Sequence, residues 1–350
     1  MRICLCSSQF YPVVGGVPQV SDTLADYWVS NGHQVTVVTD NSENEKGYYC
    51  GVVPRDIQYS VVRVPTTQDW NNILNACDLV VSNGVSVKYL SSWVRSRKPI
   101  VWIHQIYQQT LLESILRPRR FLRWMTVKLA LRIAVGNVFI SQAVAKQVNA
   151  ARGVVIYNPI DRKFRVLGDE KAKFNFGFFG RVQREKGVDI LIHALKVCRS
   201  RGFKFSLCVY GDGTERDSCI FLADQLGVSD SIAWFPFAQD GDLVCAMNSV
   251  EVVVVPSRWA EPMGIVAPEA MACGCAVIGS NAGGLGEVLH GFGMTFGNGC
   301  VLELAARMIE IFSESGCLEK VRQKCLVRSK HFSIDRIGMS YLNFFKSIVD

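Results

Sequence analysis

The sequence predicts an α/β protein of two doubly wound, Rossmann-like parallel-sheet domains, and three observations predict it. Short runs rich in valine and isoleucine alternate with longer amphipathic stretches, as expected of strands buried on both faces between crossover helices. That alternation stops near residue 160 and restarts near residue 174. The length, 350 residues, suits two domains of roughly 150 to 200 residues better than a single core.

In the first domain Arg2 to Ser7 reads as the opening strand, Val17 to Asn31 as the helix after it, and Gln34 to Thr39 as the second strand. Apolar runs at Leu79 to Ser82, Ile100 to His104 and Asn137 to Ser141 extend the sheet. Pro159 and mixed charge mark Asn158 to Gly168 as a linker. The second domain reads as strand Phe174 to Phe179, helix Gly187 to Arg201, and strands Phe205 to Tyr210, Ile232 to Phe235, Val252 to Val255 and Ala276 to Gly279. Leu318 to Val349 reads as two helical segments broken near Phe332 to Asp335, the second returning to the first domain. The expected domains are therefore 1–160 with about 335–350 crossing back, and 161–334.

A hydrophobic content of 49% and a mean hydropathy of +0.17 describe a folded globular chain, not a disordered one. No apolar run approaches the ~18 residues of a membrane span. The start, MRICLCSSQFYP, has one basic residue and too short an apolar stretch for a secretory signal, so it is expected to be a strand. Thirteen cysteines are scattered without a C-x-x-C, and the five histidines lie far apart, so reduced thiols, a cytoplasmic protein and no bound metal are expected. The net charge of +7 sits wholly in residues 1–160, where 16 Lys/Arg face 9 Asp/Glu. No acid occurs between Glu113 and Asp161, while Arg117, Arg119, Arg120, Arg123, Lys128, Arg132, Lys146 and Arg152 fall in that gap. Such a stretch calls for an anionic partner. With no nucleic-acid module beside it, segment 117–132 reads either as part of a plain surface helix, Arg119 to Ala134, covering the first domain, or as a peripheral contact with the anionic inner face of the cytoplasmic membrane.

The segment Arg258 to Gly274, RWAEPMGIVAPEAMACG, is the most informative in the chain. Its glutamates Glu261 and Glu269 have seven residues between them, spread across a loop and the helix expected from Gly264 to Cys273. The carboxyl edge of a parallel sheet is where open α/β folds bind ligands. A carboxylate there needs a donor-rich partner, and a ribose supplies two vicinal hydroxyls. Taken alone, the two glutamates read more simply as solvated charges at a helix end. Arg181 and Lys186 lie in the loop after Phe179-Gly180, two cations placed to neutralise a diphosphate, or else two ordinary solvated loop charges. Gly15-Gly16, ahead of Pro18, lets the backbone approach a phosphate closely or simply turns strand into helix.

Together these residues resemble the GT-B glycosyltransferases, specifically the large retaining class of family four that builds bacterial polysaccharides and glycolipids. The resemblance runs through Gly15-Gly16, His104, Ser141-Gln142-Ala143-Val144, Asn158 to Asp161, Gly180-Arg181, Lys186-Gly187, Gly211 to Gly213, Glu261 to Cys273, and Gly283-Gly284 with Glu287. It implies that the second domain binds the nucleotide half of a UDP- or GDP-sugar and the first binds a saccharide or lipid-linked saccharide acceptor, with chemistry in the cleft between. It assigns the diphosphate to Arg181 and Lys186, the ribose to Glu269, and the transferred sugar to Glu261 and His104. Gly15, Gly16, Gly180, Met263, Gly264 and Ile265 would line the donor. It also implies retention of anomeric configuration, no metal and no other cofactor. Phe235-Pro236-Phe237 stands where the family carries a glycine, which leaves uridine and guanosine both open.

Two further patterns have other readings. Asp240-Gly-Asp242 imitates a metal-binding Asp-x-Asp, but a capping and first-turn role ahead of Leu243 to Asn248 explains it more simply. Asp40, 24 residues after Gly16, imitates the ribose acid of an NAD-dependent oxidoreductase, yet the turn before it is not G-x-G-x-x-G. A non-catalytic nucleotide-sugar-binding subunit would carry the same binding residues.

Overall fold

The computed structural model describes residues 1–13, 15–42, 57–84, 96–105, 131–148, 153–168 and 172–349, together with Phe121, Trp124, Met125 and Lys128. Most of the basic segment 117–132 lies outside these residues. The chain divides into two compact units, Met1–Pro159 with Ile334–Asp350, and Ile160–Ser333.

The first unit holds the described strands β1 (Arg2–Ser7), β2 (Gln34–Thr39), β3 (Ser60–Arg63), β4 (Leu79–Asn83), β5 (Ile100–His104), β6 (Gly136–Phe139) and β7 (Gly153–Val155). They pair in the order β3-β2-β1-β4-β5-β6-β7, all parallel, with Leu5 of β1 opposite Val37 on one side and Val81 on the other. Because β1, β4 and β5 are covered on both faces, apolar residues run unbroken through their middles, with the polar ones at the strand ends, and the runs are continuous and not alternating. Its described helices include α1 (Gly16–Ser30), α2 (Thr67–Ala76) and α3 (Gln142–Val148). Helix α2 opens on a capping box in which Thr66 and Asp69 satisfy each other's main-chain N–H, worth about 1 kcal/mol.

The second unit holds β8 (Phe174–Phe179), β9 (Leu207–Tyr210), β10 (Ile232–Phe235), β11 (Val250–Val255), β12 (Ala276–Ser280) and β13 (Met294–Phe296) in the order β10-β9-β8-β11-β12-β13, again all parallel. Its helices are α4 (Val188–Ser200), α5 (Arg216–Gln225), α6 (Asp240–Asn248), α7 (Val266–Ala272), α8 (Gly283–Leu289), α9 (Val301–Ser313) and α10 (Cys317–Ser329). Helix α4 packs on α9, and α7 on α10.

In each sheet the strand order reverses once, at β1/β4 and at β8/β11, and a crevice opens at the carboxyl ends of those strands. Both candidate clusters lie at these two points. The last helix, α11 (Ile334–Val349), belongs to the first unit. There Trp28 of α1 meets Tyr341 and Phe345 edge-on at 6.0 and 5.2 Å between ring centres, all three rings fully buried. Gly338 allows the approach, since a Cβ there would stand 2.3 Å from the Tyr27 ring.

Several expected boundaries shift by a residue or two, and two of the shifts bear on the site. The helix after the glutamate loop is only Val266–Ala272, because Gly264, at φ +73°, is a turn residue outside it. Helix α6 begins at Asp240 itself, so both acids of the Asp-Gly-Asp triplet stand in its first turn behind the N-cap Gln239, and Asp240 pairs with Lys163 at 2.7 Å.

Candidate active site

In the second unit the loops after β8 and β11 meet at the reversal point. At Gly187 φ is +70°, and a Cβ would stand 2.1 Å from the Pro256 carbonyl oxygen, so only glycine fits where the first loop passes β11. The Arg258 N–H donates to the Glu185 carbonyl at 2.8 Å, and the Arg258 guanidinium pairs with Asp189. Asn298 Nδ2 donates to the Arg258 carbonyl at 2.6 Å. The loop from Ser257 to Glu261 is thereby held on both flanks.

Across that crevice Lys186 Nζ donates to Glu261 Oε1 at 2.6 Å, and the same oxygen accepts from Ser257 Oγ at 2.7 Å. The Lys186 ammonium also lies 5.6 Å from the centre of the Trp259 ring, which keeps 38% of its surface exposed. Glu261 is only 5% exposed, and its carbonyl accepts from the Gly284 N–H at 2.7 Å, which ties it to the start of α8. Arg181, by contrast, is exposed and makes no ion pair among the described residues. Gly180, at φ +142°, turns the chain out of β8 ahead of it. Glu269 stands in the first turn of α7 and is buried, as is the Met263 side chain, while Gly264 and Ile265 are half-buried.

The first unit carries Gly15, Gly16 and His104. Gly15 caps α1 in extended backbone, and a Cβ on Gly16 would meet nothing within 4 Å, so the fold itself requires glycine at neither position. His104 ends β5, stacks on Phe139 at 4.9 Å, and shares a 3.0 Å hydrogen bond between Nε2 and Asn137 Oδ1. Since that amide oxygen only accepts, Nε2 carries the proton in the neutral ring. Burial pushes the imidazole down to about 4, partly offset by the Asn137 bond, so it is uncharged at neutral pH.

A second set at this edge was not read from the sequence as a set, although Asn158 belongs to the Asn158 to Asp161 motif. Gln105 Nε2 donates to Asn83 Oδ1 at 2.7 Å and to Asn158 Oδ1 at 3.0 Å, and Asn158 Nδ2 donates back to Gln105 Oε1 at 2.8 Å. Asn83 Nδ2 donates to Ser21 Oγ at 2.7 Å, and Ser21 Oγ to Ser7 Oγ at 3.0 Å. All five are buried. The available signal was a polar residue at or just after the carboxyl end of β1, β4, β5 and β7.

Two family models match the chain, Glycosyl transferases group 1 over residues 159–326 and Glycosyltransferase Family 4 over residues 14–164. An uncharacterized glycosyltransferase of Methanocaldococcus jannaschii is 27% identical across 99% of this chain and 98% of its own length. A D-inositol 3-phosphate glycosyltransferase of Rhodococcus jostii is 29% identical, with the match spanning 54% of this chain and under half, 44%, of that relative. Among solved structures, Anabaena HepE in complex with UDP and glucose superposes with a TM-score of 0.79 at 20% identity, covering 99% of this chain and 100% of that one. The lipopolysaccharide outer core galactosyltransferase WaaB gives 0.70 at 16% identity, covering 99% and 98%. Both likenesses show the fold.

Proposed function

We propose that this chain, which belongs to the glycosyl transferases group 1 family and carries the GT-B fold, moves a hexose-type sugar from a nucleotide sugar to a saccharide or lipid-linked saccharide, with retention of configuration and without a metal. The observation that carries the reading is the cluster at the β8/β11 reversal, where Arg181, Lys186, Glu261 and Glu269 gather on two interlocked loops and the helix after them. As the bond from sugar to phosphate breaks, negative charge grows on the diphosphate and the sugar becomes oxocarbenium-like. Arg181 and Lys186 stabilise that growing charge, and fixed donors of this kind contribute roughly 3–4 kcal/mol each. Glu269 takes the ribose hydroxyls, Glu261 those of the transferred sugar, and the departing phosphate accepts the acceptor's proton. The acceptor attacks on the leaving-group face, which preserves the anomeric configuration. UDP and glucose held by HepE support a uridine donor. The galactosyltransferase WaaB supports a product in cell-surface polysaccharide or lipopolysaccharide synthesis.

Thermal stabilisation by UDP-, GDP- and ADP-sugars tests the donor, because a ligand that binds only the folded chain stabilises it by about 2.7 kcal/mol at a hundred times its Kd. One base is expected to raise Tm by several degrees and the others not. A flat response to all of them, together with no sugar transfer, overturns the reading. In the basic segment Phe121 and Trp124 stack at 6.0 Å, and Phe121 and Met125 are 36% and 49% exposed. Apolar side chains among arginines support peripheral contact at the cytoplasmic face of a membrane, each cation near an anionic surface contributing about 1 kcal/mol. Equal co-sedimentation with neutral and anionic liposomes at low salt removes that part.

A further inference from the structure

Resting on that reading, one feature of the site points further. Lys186, the cation meant for the diphosphate, is already committed to Glu261, the carboxylate meant for the sugar. A phosphate that takes Lys186 shares that nitrogen with a carboxylate whose Oε1 stands 2.6 Å from it, and two anions drawn to one ammonium repel. Glu261 is nearly buried, so water offers it little compensation for the lost cation. Sugar hydroxyls are donors and supply that compensation. A nucleoside diphosphate without its sugar supplies none.

We propose that Glu261 discriminates the intact donor from the spent nucleotide by exchanging Lys186 for sugar hydroxyls, and that Ser257 is the positioning residue that keeps its carboxylate aimed during the exchange. With the sugar bound, Lys186 is released to the diphosphate while Ser257 Oγ, at 2.7 Å, still holds Oε1. Once the sugar has left, the carboxylate reclaims the ammonium and the diphosphate loses a cation. The same pair that admits the donor therefore expels the product. Interlocked loops keep the exchange to a movement of side chains, since Arg258 and Gly284 fix the backbone on either side of Glu261.

Calorimetric titration with UDP and with UDP-glucose tests this, or with GDP and GDP-mannose if the thermal panel selects guanosine. Glu261→Gln keeps the shape and removes the charge, so UDP is expected to bind it roughly two- to fivefold more tightly than wild type, the range open to a partly exposed ion pair. The preference for UDP-glucose over UDP falls at the same time, and UDP becomes a stronger product inhibitor. In a Lys186→Met background the tightening vanishes, as a double-mutant cycle requires of a direct exchange; persistence there would mark a general loss of negative charge and overturn the proposal. Ser257→Ala is expected to lower the preference for UDP-glucose while UDP affinity stays unchanged. Unchanged or weaker UDP binding by Glu261→Gln sinks the exchange and leaves the parent reading intact. Wild-type protein that binds no nucleotide removes both.

Discussion

At the carboxyl edge of the first sheet Ser7, Asn83, Gln105 and Asn158 are buried, uncharged and largely satisfied by one another, and beside them His104 is held neutral against Asn137. At the corresponding edge of the second sheet stand two basic residues, Arg181 and Lys186, and two acidic ones, Glu261 and Glu269, with one basic side chain exposed and the other paired. The contrast runs against the overall charge, since the basic half of the sequence carries the neutral edge and the balanced half the charged one. Net charge therefore says little about where chemistry is done. A lattice of neutral hydrogen bonds fixes shape, whereas a few ions that can change partners act on a ligand's charge.

Four experiments break or sharpen this comparison. Arg181→Met tests the charged edge most cleanly, because the residue is exposed and has no ion pair among the described residues to leave behind. Turnover is expected to fall roughly 10²- to 10³-fold with Tm unchanged, and activity within threefold of wild type would remove the cation from the mechanism. At the neutral edge the large effect is on stability in acid. Folding depresses the His104 imidazole from its ordinary value to about 4, so the unfolded chain binds the extra proton first as pH falls. Stability is full above about pH 6.5 and declines toward pH 4, by up to about 3 kcal/mol. Urea midpoints across that window check it, and His104→Gln should flatten the slope. Gln105→Leu removes the donor to Asn83 Oδ1 and the amide that exchanges hydrogen bonds with Asn158, and is expected to cost about 1–3 kcal/mol of stability at pH 7. The smallest effect is expected at Gly16. Its Ala variant meets open space in the fold, so stability should hold or rise slightly, while turnover drops about tenfold if phosphate approaches that backbone.

Five strands were legible to the residue, while Leu79–Asn83, Gly136–Phe139, Leu207–Tyr210 and Val250–Val255 differ from their expected bounds by one or two residues. Arg2–Ser7, Gln34–Thr39, Ile100–His104, Phe174–Phe179 and Ile232–Phe235 have the bounds the sequence predicts. Ser60–Arg63, Gly153–Val155 and Met294–Phe296, sheet-edge strands of three or four residues, went unread, whereas Ile232–Phe235, equally short and also at an edge, was read. In the site, the residue types were visible and their pairing was not. Lys186 and Glu261 are 75 positions apart, and only the adjacency of β8 and β11 brings their loops together. The same holds for Asn83, Gln105 and Asn158, which sit on three different strand ends.

The return of α11 to Trp28 also orders the birth of the molecule. Residues 160–333 are synthesised before α11, so every part of the second unit has been made while the first still lacks the helix that seals Trp28. During translation the earlier half must wait with an apolar surface uncovered, inverting the usual rule that the N-terminal domain matures first.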